Sequence, residues 1–136
     1  MIRTLHITND LAELSSFEEF LQKVCSSWGI NEKTAMELHL AVEEAVVNVI
    51  QYAYPGKAGQ PVDLKVQYDS GKIIFTLTDE GACFDPTCQE DPDVTLGAEE
   101  RPVGGLGIFL ARKLMSEIYY ERTGDKNVLT MIKELP

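Results

Sequence analysis

The chain is poor in the features that would make it a secreted, membrane-spanning or nucleic-acid-binding protein. It has three cysteines in 136 residues, Cys25, Cys83 and Cys88. They form neither an even framework nor a CxxC pair, which argues against a disulfide scaffold or a cysteine zinc site and leaves a Cys83/Cys88 redox couple as a weak alternative. Basic residues are scarce: 12 Lys and Arg stand against 22 Asp and Glu, a net charge of -10, with a pI near 4.6. A surface of that sign repels a nucleic-acid backbone and an anionic membrane, so neither is expected as a partner. No apolar run is long enough to cross a bilayer. The first residues, MIRTLHITNDLAE, lack the apolar core and small-residue cleavage site of a secretory signal, and the expected location is the cytoplasm.

What is present is an ordinary globular composition, with 44% hydrophobic and 25% charged residues. A chain of this length can bury about two thirds of the surface it exposes when unfolded, enough for a single domain over residues 1–136 without staples. Neither an internal repeat nor a linker between domains is visible. Alternation in IRTLHIT predicts a strand over residues 2–8. Asn9 or Asp10 then caps a helix to about Trp28, with Leu11, Leu14, Phe17, Leu21 and Val24 facing inward, and Gly29 stops it. Asn31 caps a second helix whose stripe is Ala35, Leu38, Val42, Ala45 and Val49, ended by Tyr52-Ala-Tyr54-Pro55-Gly56. VDLKVQY, the turn Asp69-Ser-Gly-Lys72 and IIFTLTD predict an antiparallel hairpin. Residues 81–103 read as a lid-like loop, Gly105 to Met115 as a helix, and residues 117–133 as a final hairpin. This order implies an α+β fold, helices on one face of a mainly antiparallel sheet.

Three segments carry polar groups that a purely structural reading would not place there. In LHLAVEEAVVNVI, Glu44 and Asn48 lie one helical turn apart on one face, while Glu43 points about 100° away and reads as a surface charge. An amide oxygen suits Mg²⁺, which keeps most of its water and bridges to phosphates, and a nearby carboxylate can orient or deprotonate a hydroxyl. Asp79 ends an apolar strand and precedes Gly81, which permits a close approach. It can accept from an exocyclic amine such as adenine N6, or it can be a turn-forming Asp without a ligand. Gly104-Gly105-Leu106-Gly107 opens a helix with bare amide donors suited to phosphate, or serves as a hinge. It is neither a Walker A loop nor a Rossmann fingerprint. Arg101 reads as solvated, Cys83 and Phe84 as packing the loop base, and Tyr52 and Tyr54 as finishing a core.

In this order and spacing, the chain resembles the GHKL (histidine-kinase-like) ATPase superfamily over nearly its whole length, and within it the anti-sigma factor serine kinases. LAVEEAVVNVIQYAY is similar to that family's N box, DEGACFDP to its first glycine box and RPVGGLGIFLARKLMSEIYYER to its second. Cys83 stands where the first glycine box commonly has a second glycine. The resemblance implies the two-layer GHKL sandwich, with ATP and Mg²⁺ as cofactors. It implies Glu44 as catalytic base, Asn48 as Mg²⁺ ligand, Asp79 as adenine contact and Gly81 as making room for the base. Gly105 and Gly107, with Leu106 between them, would bring amides to the phosphates. It further implies an ATP-dependent protein serine kinase that modifies a small anti-anti-sigma (STAS-like) partner, sequesters a sigma factor and forms a homodimer. The alternative is an ATP-sensing switch that grips a regulator without transferring phosphate.

Overall fold

The computed structural model describes residues 1–83, 85–88 and 108–136. Strands β1 (Ile2–Thr8), β2 (Pro61–Asp69), β3 (Lys72–Asp79), β4 (Glu117–Thr123) and β5 (Lys126–Glu134) form one sheet in the order β1-β2-β3-β5-β4. Every neighbouring pair is antiparallel. Helices α1 (Leu14–Ser27), α2 (Glu32–Tyr52) and α3 (Phe109–Leu114) complete the fold.

Period-two patterning builds the sheet. Val62, Leu64 and Val66 on β2, Ile73, Phe75 and Leu77 on β3, and Leu129 and Met131 on β5 are buried, while Ile74, Thr76 and Thr78 between them are only half-buried. The register lines these residues up across the sheet, Leu64 opposite Leu77 and Leu77 opposite Leu129. The β2–β3 turn places Ser70 and Gly71 at φ 51° and 76°, the left-handed pair that matches strand twist in a tight hairpin. Phe17, Leu21 and Val24 of α1 and Leu38, Val42, Ala45 and Val46 of α2 join the inward sheet residues in one cluster. Each large side chain so buried contributes about 1.5–3 kcal/mol. The result is the expected α+β sandwich, with the helical layer on one face of the sheet.

The helix starts differ from expectation in two places. Asp10 does cap, accepting from the Ala12 amide at 2.9 Å, but it caps a 3-10 turn, Leu11–Glu13, and α1 begins only at Leu14. A 3-10 turn advances about 120° per residue instead of about 100°, which takes Leu11 out of phase with the stripe. Leu11 is accordingly 50% exposed. Asn31 caps α2 as expected, accepting from the Thr34 amide at 2.8 Å. The third helix spans Phe109–Leu114, between Ile108 with non-helical dihedrals and an extended Met115; residues 105–107 of the expected helix lie outside the described residues. Lys133 Nζ donates to the Leu114 carbonyl at 2.6 Å, satisfying the end of α3 from β5.

Candidate functional site

Asp79 occupies the last inward position of β3, in phase with Ile73, Phe75 and Leu77, and is buried to 4% exposure. Sheet register decides what surrounds it. Asp79 pairs with Asn127 on β5, and Asn127 pairs with Arg122 on β4, so a polar row crosses the end of an otherwise apolar sheet. Asp79 Oδ1 accepts from the Gly81 amide at 2.8 Å and from Asn127 Nδ2 at 2.9 Å. Asn127 Nδ2 also donates to the Ala82 carbonyl at 2.8 Å, and its Oδ1 accepts from the Tyr120 hydroxyl at 2.5 Å and Arg122 Nη1 at 3.2 Å. Arg122 Nη1 further donates to the Gly81 carbonyl at 2.9 Å.

Both protein donors to Asp79 converge on Oδ1, so among the described residues Oδ2 has no hydrogen-bond donor. Burial is accordingly the largest influence on this carboxyl and raises it above the ordinary carboxylate range, against the opposing pull of Asn127, the Gly81 amide and Arg122. An acceptor oxygen that lines the cleft with no donor among the described residues fits a ligand that brings an N–H.

The segment after β3 is fastened to the end of α2. A Cβ at Gly81 would stand 2.2 Å from the Ala53 carbonyl oxygen, and the Ala82 amide donates to that oxygen at 3.0 Å. The close approach that requires glycine here is therefore one of backbone to backbone. Tyr54 adds a second fastening: its hydroxyl donates to the Pro61 carbonyl and accepts from the Glu80 amide, both at 2.6 Å. Its burial fits the expectation that it finishes a core, and it also fixes the strand end that carries Asp79. Cys83, expected at the loop base, is exposed, with Sγ 3.6 Å from the Tyr120 hydroxyl.

On α2, Asn48 is 5% exposed and Glu44 is half-buried. Glu44 Oε1 accepts from the Ala111 amide at 3.1 Å, in the first turn of α3. The carboxylate thus satisfies a helix-start N–H that has no partner within its own helix. Asn48 and Asp79 line one cleft together with Ala45, Val49, Ala53, Leu77, Ala82, Pro86, Tyr120, Asn127 and Leu129. Its enclosed part is about 30 Å³, room for a water or two. Asn48 also lines a wider groove on its other side with Glu44, Glu43, Leu40, Val47, Gln51 and Leu110. Glu44, Asn48 and Asp79 are thereby joined through two adjoining spaces that share Asn48.

Gly105, Leu106 and Gly107, like Phe84 and Arg101, lie outside the described residues. Sequence reasoning missed Asn127, Tyr120 and Arg122. The signal that could have found Asn127 is its position opposite Asp79 once the two hairpins are paired.

Among the described residues no helix is long and apolar enough to cross a membrane. The sequence matches the histidine kinase-like ATPase domain over residues 7–133. It is 28% identical over 107 residues to the serine-protein kinase RsbW of Listeria monocytogenes, covering 74% of this chain and 68% of the kinase. To RsbW of Bacillus pumilus it is 33% identical over 104 residues, covering 72% of this chain and 64% of that protein. The fold is similar to that of the RsbU and RsbW domains of a Mycobacterium tuberculosis protein, with a TM-score of 0.68 at 14% identity, over 98% of this chain and 32% of the other.

Proposed function

The chain belongs to the histidine kinase-like ATPase domain family, and from that premise we propose that it is an ATP-dependent protein serine kinase of a partner-switching circuit. The relatives named serine-protein kinase RsbW support the assignment. The observation that carries it is the arrangement about Asp79: a buried carboxylate at the strand end, one oxygen of which has no donor among the described residues, facing the same cleft as Asn48.

In this reading Asp79 accepts from the exocyclic amine of adenine, and Asn127 and the Gly81 amide hold its other oxygen still, with Arg122 bracing the Gly81 carbonyl and the Asn127 amide oxygen. Gly81 lets the loop close on Ala53, which sets the wall against which the base lies. Asn48, between cleft and groove, would hold Mg²⁺ through its amide oxygen, a hard donor of the kind this ion takes, and the ion would supply positive charge against the phosphates. Glu44 aligns and deprotonates the acceptor hydroxyl. Its hydrogen bond to the Ala111 amide fixes the carboxylate between α2 and α3, and positioning of this kind supplies most of the catalysis in phosphoryl transfer. Gly105, Leu106 and Gly107 complete the site as amide donors to the phosphates.

The acceptor in this proposal is a serine on a small anti-anti-sigma protein, with a sigma factor as the second partner, a homodimer as the working form and the cytoplasm as its place. The test is incubation of the chain with labelled ATP, Mg²⁺ and the candidate partner encoded beside it. Label on a partner serine, lost in Glu44→Gln with nucleotide binding retained, supports the kinase. Nucleotide binding with no transfer to any candidate sinks the kinase reading in favour of the ATP-sensing switch, and absence of a thermal shift with ATP or ADP defeats both.

A further inference from the structure

A second group of polar side chains spans α1 and α2 and shares only Glu43 with the groove beside Glu44 and Asn48. His39 and Glu43 are one turn apart on α2, and Glu18 faces them from α1. His39 Nε2 lies 3.1 Å from Glu43 Oε2 and 3.8 Å from Glu18 Oε1, and the ligand atoms of all three lie within 4.8 Å of one another. A tetrahedral ion bound at about 2.0–2.2 Å holds its donors about 3.3–3.6 Å apart. The two distances from Nε2 bracket that spacing.

We propose that Glu18, His39 and Glu43 form a site for a divalent transition-metal ion of the zinc class, clamping α1 to α2. Three further observations support it. The His39 ring stacks on the buried Phe17 ring, with centroids 6.2 Å apart and planes 18° apart, which restricts the direction in which Nε2 points. Among the described residues neither Glu18 nor Glu43 is paired with a lysine or arginine, so two carboxylates converge on one imidazole in a chain of net charge -10. Their mutual repulsion is relieved by a cation placed between them. The site also opens onto a groove lined by Leu21, Gln22, Cys25, Ala35 and Met36 beside Glu18 and His39, leaving access for water at the remaining coordination position.

The donor chemistry selects the ion. One imidazole nitrogen and two carboxylate oxygens suit zinc, cobalt or nickel better than Mg²⁺, which takes oxygen ligands alone. Cys25 lines the groove wall, but its sulfur is not among the donor atoms that lie within 4.8 Å of one another.

Titration of the full chain with Co²⁺, without nucleotide or magnesium, tests the site. The expected result is one ion per chain with no thiolate-to-cobalt absorption band, a shift of the His39 imidazole resonances, and at least tenfold weaker binding in each of His39→Ala, Glu18→Gln and Glu43→Gln. The two Gln variants keep side-chain shape at partly exposed positions, so the test does not depend on the fold surviving removal of the imidazole. Zn²⁺ should raise the melting temperature of the wild-type chain and leave Glu18→Gln unshifted. Undiminished binding in His39→Ala, a thiolate band, or no binding at all overturns the proposal without touching the kinase reading.

Discussion

The carboxylate of Glu44 accepts a hydrogen bond from the backbone amide of Ala111, 67 residues away in the chain, at 3.1 Å. The residue proposed as the base is thus also the cap of α3, and the two roles can be separated. Glu44→Gln retains an acceptor oxygen for the Ala111 amide and loses the carboxylate's charge and proton chemistry. Phosphoryl transfer should fall by about 100-fold or more, with the melting temperature almost unchanged. Glu44→Ala removes both and should cost about 1 kcal/mol of stability as well. Denaturation curves and label transfer measured on the two variants side by side check this. Equal stability loss in both would mean that the carboxylate charge, and not an acceptor oxygen alone, holds the start of α3.

Asp79 gives the ligand-free protein a pH dependence of defined sign. Its carboxyl is held above the ordinary range, chiefly by burial, so the native state takes up this proton more readily than the unfolded chain. The stability associated with this group is full below the ordinary carboxylate range and is lost as pH rises through the raised value. Asp79→Asn should flatten that part of the pH profile and leave the ligand-free protein at least as stable at neutral pH. It should also weaken ATP binding about tenfold or more, because an amide nitrogen then competes with the acceptor oxygen for the space facing the adenine amine. Urea titrations across the acid-to-neutral range, and calorimetry with ATP, read out the two halves.

Asn127 is the donor that makes the buried carboxylate tolerable. Asn127→Ala should cost about 2 kcal/mol at neutral pH, and less in acid, where Asp79 is protonated. In a double-mutant cycle with Asp79→Asn the two changes should be far from additive. Additive losses would show that the 2.9 Å contact carries no coupling.

Gly81→Ala brings a Cβ to 2.2 Å from the Ala53 carbonyl oxygen. Neither backbone can move away without giving up the Ala82 to Ala53 hydrogen bond, so the change should destabilise by about 1–3 kcal/mol. Because the penalty arises against α2, it should appear in the denaturation midpoint without any nucleotide present. A variant as stable as the parent that loses only ATP affinity would move the role of this glycine from the backbone contact to the ligand.

Much of the fold was legible in the chain itself. Period-two and period-3.6 patterning set β1 to β5 and the two long helices, because burial of alternate or helically spaced side chains is a local property of the sequence. Asp10 and Asn31 marked real caps, though the 3-10 turn after Asp10 rotated Leu11 outward, a change of phase that no count of hydrophobic spacing contains. The site was legible in part for the same reason: Glu44 and Asn48 share a helical face, and Asp79 continues the inward series of Ile73, Phe75 and Leu77.

Tertiary structure alone decided what those groups meet. Asn127 lies opposite Asp79 only because β5 inserts between β3 and β4 in one register, and a slip of one residue would turn it to the other face. Ala111 reaches Glu44, and Ala53 receives Gly81, through packing between elements far apart in sequence. Local composition fixes which faces are buried. Which polar atoms find partners there depends on long-range register, and that is settled only when the whole sheet closes under its helices.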